Sequence, residues 1–284
     1  MLGCDKALVN GEEKRCIDLS DRGFQYGDGV FTTIAVGSGI PQFLDKHLDR
    51  LQRDCARLAL PYPGHGILAE EARRLSGASS ECVLKILLTR GTGGRGYRCP
   101  DQPHPTRVLS CHPRPDYPFE LRERGIHTRL CQTRLGINPL LAGIKHLNRL
   151  EQVLARSEWN GDEIHEGLML DTEGCLVEGT MSNVFLMKDG RLRTPLIDRC
   201  GVAGVMRSVV RGLALEQRLA IEEARITVSE LYQADELFVT NCVIQLWPVR
   251  QLESVKYEVG PITRMLASRI TTLIGEELVK ICRV

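Results

Sequence analysis

Between Gly29 and Val36 the chain reads GVFTTIAV, a run of β-branched and apolar residues bounded by glycines, which predicts a strand. The pattern then changes period. Leu44, Leu48, Leu51, Cys55 and Leu58 recur at helical spacing, so a helix is expected across Leu44 to Leu60, ended by Pro61. Cys82 to Thr89 and Thr106 to His112 read as two more strands. The Gly/Pro-rich stretch RGTGGRGYRCPDQPHP between them is too long for a tight hairpin, and loops of that length in compact domains are often functional. CHPRPDYPFE, from Cys111 to Glu120, holds three prolines and no apolar period, which marks it as a linker.

Beyond the linker a helix is expected from Leu147 to Trp159, with Leu147, Leu150 and Leu154 on one face and Asn160-Gly161 as a stop. Leu168 to Leu170 and Asn183 to Met187 read as strands, followed by a hairpin turn at Lys188-Asp189-Gly190. A glycine-punctuated loop, Asp198 to Gly204, enters a helix over Val205 to Leu219. Glu236 to Thr240 is a further strand, and Pro261 to Val279 is helical. The pattern predicts an α+β chain of two domains, 1–116 and 117–284.

Composition narrows the class of function. Hydrophobic residues make up 43% of the 284, as in soluble globular proteins. Lys plus Arg is 37 and Asp plus Glu is 36, a formal charge of +1, and the basic residues are dispersed. That gives no electrostatic case for nucleic acid or an anionic membrane as partner. The 11 cysteines are odd in number, without any C-x-x-C pair, and sit mostly in apolar runs, as buried thiols of a reducing compartment do. No metal site is expected. MLGCDKALVNGEEK lacks the apolar core of a signal peptide and no run reaches spanning length, so a cytoplasmic protein is expected.

Four segments could carry chemistry. In GIKHLNRLEQ, Lys145 stands among Leu140, Leu141 and Ile144 just before a helix. A lysine becomes a nucleophile or Schiff-base former when its surroundings lower its pKa, although a lysine at a helix start is ordinarily solvated. In GVAGVMR, glycines 201 and 204 open a helix whose first amides form an anion pocket, or simply make a turn. In LVEGTMSNVF, Glu178 lies among small residues between strands and needs a cationic or hydrogen-bonding partner: a protonated pyridine nitrogen, or a structural arginine. In HLDRL, Arg50 could aim a guanidinium at a phosphate, or be a surface charge like Arg53 and Arg57.

The order of these segments, SDRGFQYGDGVF, HLDRL, IK-x-LN, E-G-x-x-S-N-V-F and G-V-x-G-x-M-R, resembles the branched-chain and D-amino acid aminotransferase family, from Asp21 to about Arg250. The resemblance implies that family's two-domain fold, pyridoxal 5'-phosphate as cofactor, an active site at the domain interface, and a homodimer in which loops of one subunit close the other's site. It implies that Lys145 holds the cofactor covalently and that Glu178 faces the pyridine nitrogen. Arg50 and the amides of Val205 and Met206 correspond to the phosphate cup, with Asn241 and Cys242 on its far side. Tyr26 falls in the motif near the active site.

Within the family, LTRGTGGRGY and GIKHLNRLEQVLARSEW are similar to the aminodeoxychorismate lyase branch. Aminotransferases of the fold commonly carry an acidic residue where this chain has Thr32, which argues against ordinary amino exchange on D- or branched-chain amino acids. The lyase branch implies elimination of pyruvate from aminodeoxychorismate to give 4-aminobenzoate for folate synthesis, with protons moved by Lys145 or Thr33. Arg95 and Arg107 are the candidate clamps for the substrate's carboxylates, since guanidinium pairs with carboxylate bidentately.

Overall fold

The computed structural model describes residues 6–78 and 81–282, which divide into two compact units. The first comprises Met1–Pro115, Lys145–Asn148 and Ile274–Val284; the second comprises Asp116–Ile144 and Arg149–Leu273. Residues 1–5 of the segment inspected for a leader lie outside the described residues.

In chain order the first unit contains β1 (Lys6–Val9), β2 (Glu12–Glu13), α1 (Arg22–Tyr26), β3 (Gly29–Gly37), β4 (Ile40–Pro41), α2 (Leu44–Arg57), α3 (His65–Ser76), β5 (Glu81–Thr89) and β6 (Thr106–His112). The six strands run β2-β1-β6-β5-β3-β4 with every neighbouring pair antiparallel. Side chains of a strand alternate between faces. Val30, Thr32 and Ile34 of β3 therefore share one face with their register partners Leu88, Ile86 and Leu84, and all six are buried. That face carries α2, whose Leu48, Leu51 and Cys55 are fully buried at the predicted spacing. The motif SDRGFQYGDGVF is largely scaffold: Asp21 caps α1, and Asp28 receives hydrogen bonds from both Arg22 and Arg90.

The second unit contains α4 (Glu120–Glu123), β7 (Ile126–Leu130), α5 (Leu150–Arg156), β8 (Glu166–Leu170), β9 (Cys175–Gly179), β10 (Asn183–Lys188), β11 (Arg191–Pro195), α6 (Val205–Glu216), β12 (Ile221–Ala224), β13 (Ile226–Thr227), α7 (Val228–Tyr232), β14 (Glu236–Asn241), β15 (Gln245–Leu252), β16 (Val255–Lys256) and the start of α8 (Pro261–Cys282). Its mixed sheet runs β12-β11-β10-β14-β15-β7-β8-β9-β13, with β16 beside β15. Leu168, Leu186, Leu237, Val239, Trp247 and Val249 are among the core residues buried against it. The predicted hairpin joins β10 to β11: Lys188 pairs Arg191 across Asp189 and Gly190, both at positive φ (49° and 74°), as a type I′ turn requires.

One predicted helix is shorter than its pattern. Leu147 to Trp159 was expected, and α5 spans Leu150–Arg156. The reason is that residues 145–147 give their backbone bonds to β3 instead of to a helix: Phe31 N–H donates to Lys145 O and Leu147 N–H to Gly29 O. Leu150 and Leu154 are 75% and 60% exposed, while Gln152 and Ala155 face inward, so the expected apolar face is not the buried one in the single chain. No helix among the described residues is long and apolar enough to cross a membrane.

Candidate active site

Lys145 is fixed by its main chain. Its carbonyl accepts from Phe31 N–H at 2.9 Å and its own N–H donates to Asp54 Oδ2 at 3.1 Å. The side chain places Nζ 4.5 Å from the centroid of the Phe31 ring. Phe31 and Thr33 stand on the face of β3 opposite Thr32, and the register sets Lys85 of β5 directly across from Thr33. Lys85 Nζ lies 5.2 Å from the same Phe31 ring. One sheet face thus gathers a lysine held in place, a hydroxyl and a second ammonium around an aromatic ring, an arrangement that favours cations through the ring's negative face.

The adjacent threonine does different work. Thr32 is fully buried; its Oγ1 accepts from Arg50 Nη2 at 2.6 Å and lies 2.6 Å from His47 Nδ1. The hydroxyl thus bridges the Arg50 guanidinium, which can only donate, and the His47 imidazole. Burial, with the charges of Arg50 and Lys145 behind it, holds His47 well below the usual histidine range, so it is neutral. The sign of the linkage follows. The unfolded chain takes up a proton near pH 6.5 that the folded chain refuses, so stability is full above that pH and is lost as the pH falls below it. Urea melts between pH 7.5 and 5.5 are expected to show a loss approaching 1.4 kcal/mol per pH unit from this residue, a slope that His47→Asn flattens.

In the second unit, Glu178 is 4% exposed. Its Oε1 accepts from Gln152 Nε2 at 3.2 Å and its Oε2 from the Val202 amide at 2.8 Å. Arg149 is half-buried beside it: burial lowers the arginine's pKa and the charge of Glu178 opposes that shift. The loop entering α6 is tied to the same strand pair, with Asn183 Nδ2 donating to Val202 O at 2.8 Å. Gly201 has φ +85°, and a Cβ there would lie 2.5 Å from Val177 Cγ1, so no other residue fits. Glu166 organises the turn after Glu178 by accepting from Thr180 N–H and Oγ1 and from Ser182 Oγ; burial pushes its carboxyl up against these bonds.

The remaining predicted residues divide clearly. Val205 and Met206 open α6 behind the N-cap Gly204, in the first turn, where helix geometry leaves amides without intrahelical acceptors. Asn241 caps its own turn, accepting from the amides of Val243 and Ile244, and donates to Met181 O; Cys242, the next residue, is half-buried. Tyr26 packs edge-on to Tyr97 and its hydroxyl accepts from Gly96 N–H, so it supports the glycine loop. Arg95 is exposed in that loop. Arg107 is not free to act as a clamp. It pairs with Leu88, which puts it on the sheet face opposite Thr33 and Lys85, and Glu71 of α3 takes its Nε and Nη2, the latter at 2.8 Å. Lys85 is the residue that the sequence reading passed over, although a single charge inside ECVLKILL was a signal.

The profile described as amino-transferase class IV matches residues 29–252. The chain belongs to the class IV aminotransferases. Among class IV proteins, it is 34% identical over 268 residues to an aminodeoxychorismate lyase of Vibrio harveyi, covering 93% of this chain and 99% of that one. It is 31% identical over 279 residues to a putative branched-chain-amino-acid aminotransferase of Methanocaldococcus jannaschii, covering 93% and 94%. A solved 4-amino-4-deoxychorismate lyase from Pseudomonas aeruginosa superposes with a TM-score of 0.91 at 43% identity, over 94% of this chain and 98% of that chain. The chain is thus more similar to these lyases than to that aminotransferase, and it carries the class IV fold of mixed helices and sheets.

Proposed function

We propose that the chain is a pyridoxal-phosphate-dependent 4-amino-4-deoxychorismate lyase, which eliminates pyruvate and leaves 4-aminobenzoate, a folate precursor. The residues present fit that cofactor. A buried carboxylate whose two oxygens are both aligned, Glu178, suits a protonated ring nitrogen; Arg50, preset by Thr32, and the amides of Val205 and Met206 suit a phosphate; Lys145 suits the aldehyde carbon. Asn241 and Cys242 would stand on the far side of that phosphate. When bound, the cofactor supplies an electron sink that stabilises negative charge on the substrate carbon bearing nitrogen.

The observation that carries the reading is the sheet face on which Lys145, Thr33 and Lys85 meet around Phe31. Lys145 Nζ, as a neutral amine, takes the proton from the ring carbon bearing nitrogen. Lys145 or the Thr33 hydroxyl then delivers a proton to the methylene of the departing enolpyruvate. The proton lost by the ring equals the proton gained by pyruvate, and the ring left behind is aromatic, which drives the step. Lys85 and Arg95 are the cations for the two substrate carboxylates. Lys85→Met is expected to raise KM about tenfold or more with little change in kcat. Arg107→Met, by contrast, should leave KM unchanged and lower Tm by a few degrees, since it breaks an ion pair worth about 1 kcal/mol.

A homodimer acting in the cytoplasm completes the proposal; the exposed row Leu150, Val153 and Leu154 supports pairing with a second copy. The deciding experiment mixes purified, cofactor-loaded protein with aminodeoxychorismate and follows pyruvate and 4-aminobenzoate. Equimolar release of both is the expected result. Keto-acid-dependent amino exchange on D- or branched-chain amino acids, with no pyruvate formed, would overturn it in favour of an aminotransferase.

A further inference from the structure

Asp54 takes no part in the chemistry above, yet it is 1% exposed on the helix that faces β3. α2 sets His47, Arg50 and Asp54 three and then four residues apart, on one side of the helix. Burying a carboxylate is costly unless its oxygens are matched, and this one is matched on one side only. Oδ2 accepts the Lys145 amide at 3.1 Å. Oδ1 is buried without a hydrogen-bond partner among the described residues, with Arg53 Nε at 3.8 Å and the charges of Arg50 and Arg57 also acting on the carboxylate. Its bond to the Lys145 amide joins α2 to the segment that carries the lysine.

That bond completes the fastening of a short segment. β3 supplies partners for Lys145 O and Leu147 N–H, and Asp54 supplies the partner for the Lys145 N–H that β3 leaves over. The acceptor sits one helical turn beyond Arg50, whose guanidinium is held by Thr32. Four residues of α-helix rise about 6 Å, a fixed spacing on a rigid element. We infer that Asp54 is a positioning residue that ties the main chain of Lys145 to α2, so that the reactive amine and the Arg50 guanidinium are referred to the same helix. The inference rests on the reading of Lys145 as the cofactor lysine.

The test compares Asp54→Leu, which has the same branching and number of side-chain heavy atoms and no desolvation cost, with Asp54→Asn, whose side-chain carbonyl can still accept the amide. Three quantities are read besides turnover. They are hydrogen exchange of the Lys145 amide in cofactor-free protein, the rate at which the visible band of lysine-bound cofactor grows on adding pyridoxal phosphate, and the pH midpoint of that band. Asp54→Leu is expected to speed exchange and slow band growth by about tenfold each, with a shifted midpoint. Asp54→Asn should return all three to within about threefold of the parent. A purely structural role would lower Tm without moving the midpoint. The inference is overturned if Asp54→Leu keeps the parent's exchange, rate and midpoint, or if Asp54→Asn is as impaired as Asp54→Leu. If the leucine variant does not fold, Asp54→Ala takes its place under the same criteria. Lys145→Ala run alongside separates the two claims: a visible band that persists without the lysine refutes the cofactor reading, whatever Asp54 does.

Discussion

Lys145→Ala is expected to abolish turnover, a fall of at least about 10⁴, and to remove the visible absorbance of lysine-bound cofactor while the protein remains folded. Folding survives because the groups that hold this residue are its main-chain N–H and C=O, bonded to Asp54 and Phe31, and alanine keeps both. The substitution removes a cation–ring contact worth about 0.5–1 kcal/mol. An amine that could stand in is Lys85, whose Nζ approaches the same Phe31 ring. Residual activity above background in Lys145→Ala that disappears on adding Lys85→Met would show such substitution. Full activity and colour in Lys145→Ala would end the assignment. Circular dichroism and the absorption spectrum, taken on the same samples, decide between these outcomes.

Glu178→Gln has the next largest effect, and its value lies in how little it disturbs. One oxygen of Glu178 faces the Val202 amide, which can only donate, so the new side chain must turn its own carbonyl toward it. Its amide nitrogen then faces Gln152, whose Oε1 is buried without a partner and becomes an acceptor when that side chain flips. Those two hydrogen bonds are thus retained, while the charge that faces Arg149 is lost. The expected result is a folded protein whose Tm falls by a few degrees at most, as for a loss of about 1 kcal/mol. A kcat reduced on the order of 10²–10³ is expected with it, the magnitude of one aligned electrostatic partner. A kcat close to the parent's would mean that Glu178 holds the 201–204 loop and does nothing for the chemistry.

Much of the fold could be read from periodicity where one element buries one face. The core positions of α2 were legible because apolar residues recur at the helical period. α3 was missed although Leu68, Ala72 and Leu75 sit at helical spacing, since its first turn follows Gly64 and carries a second glycine. β15 was missed because Pro248 lies inside it, paired with Phe238, a residue type that argues against an interior strand. For the site, the order of the motifs carried the reading, and side-chain pairing did not. No pattern in the sequence says that Arg107 belongs to Glu71, or that Asp54 reaches a residue ninety-one positions away. Such partnerships are decided by strand register and helix facing, which one chain's composition leaves open.

Thr32 and Thr33 are the same residue in adjacent positions, and the pleat sends them to opposite sides of the sheet. Their tolerance to substitution should therefore diverge sharply in a saturation library. At position 32 the survivors would be small hydroxyl residues able to pass a hydrogen bond onward in a space with no room to spare. At position 33 they would follow what the substrate demands, with variants that fold well and differ chiefly in selectivity. A deletion of one residue between Gly29 and Phe31 would turn each threonine to the other face and set Ile34 opposite Lys85. Insertions and deletions in β3 should be purged far more strictly than any point change within it.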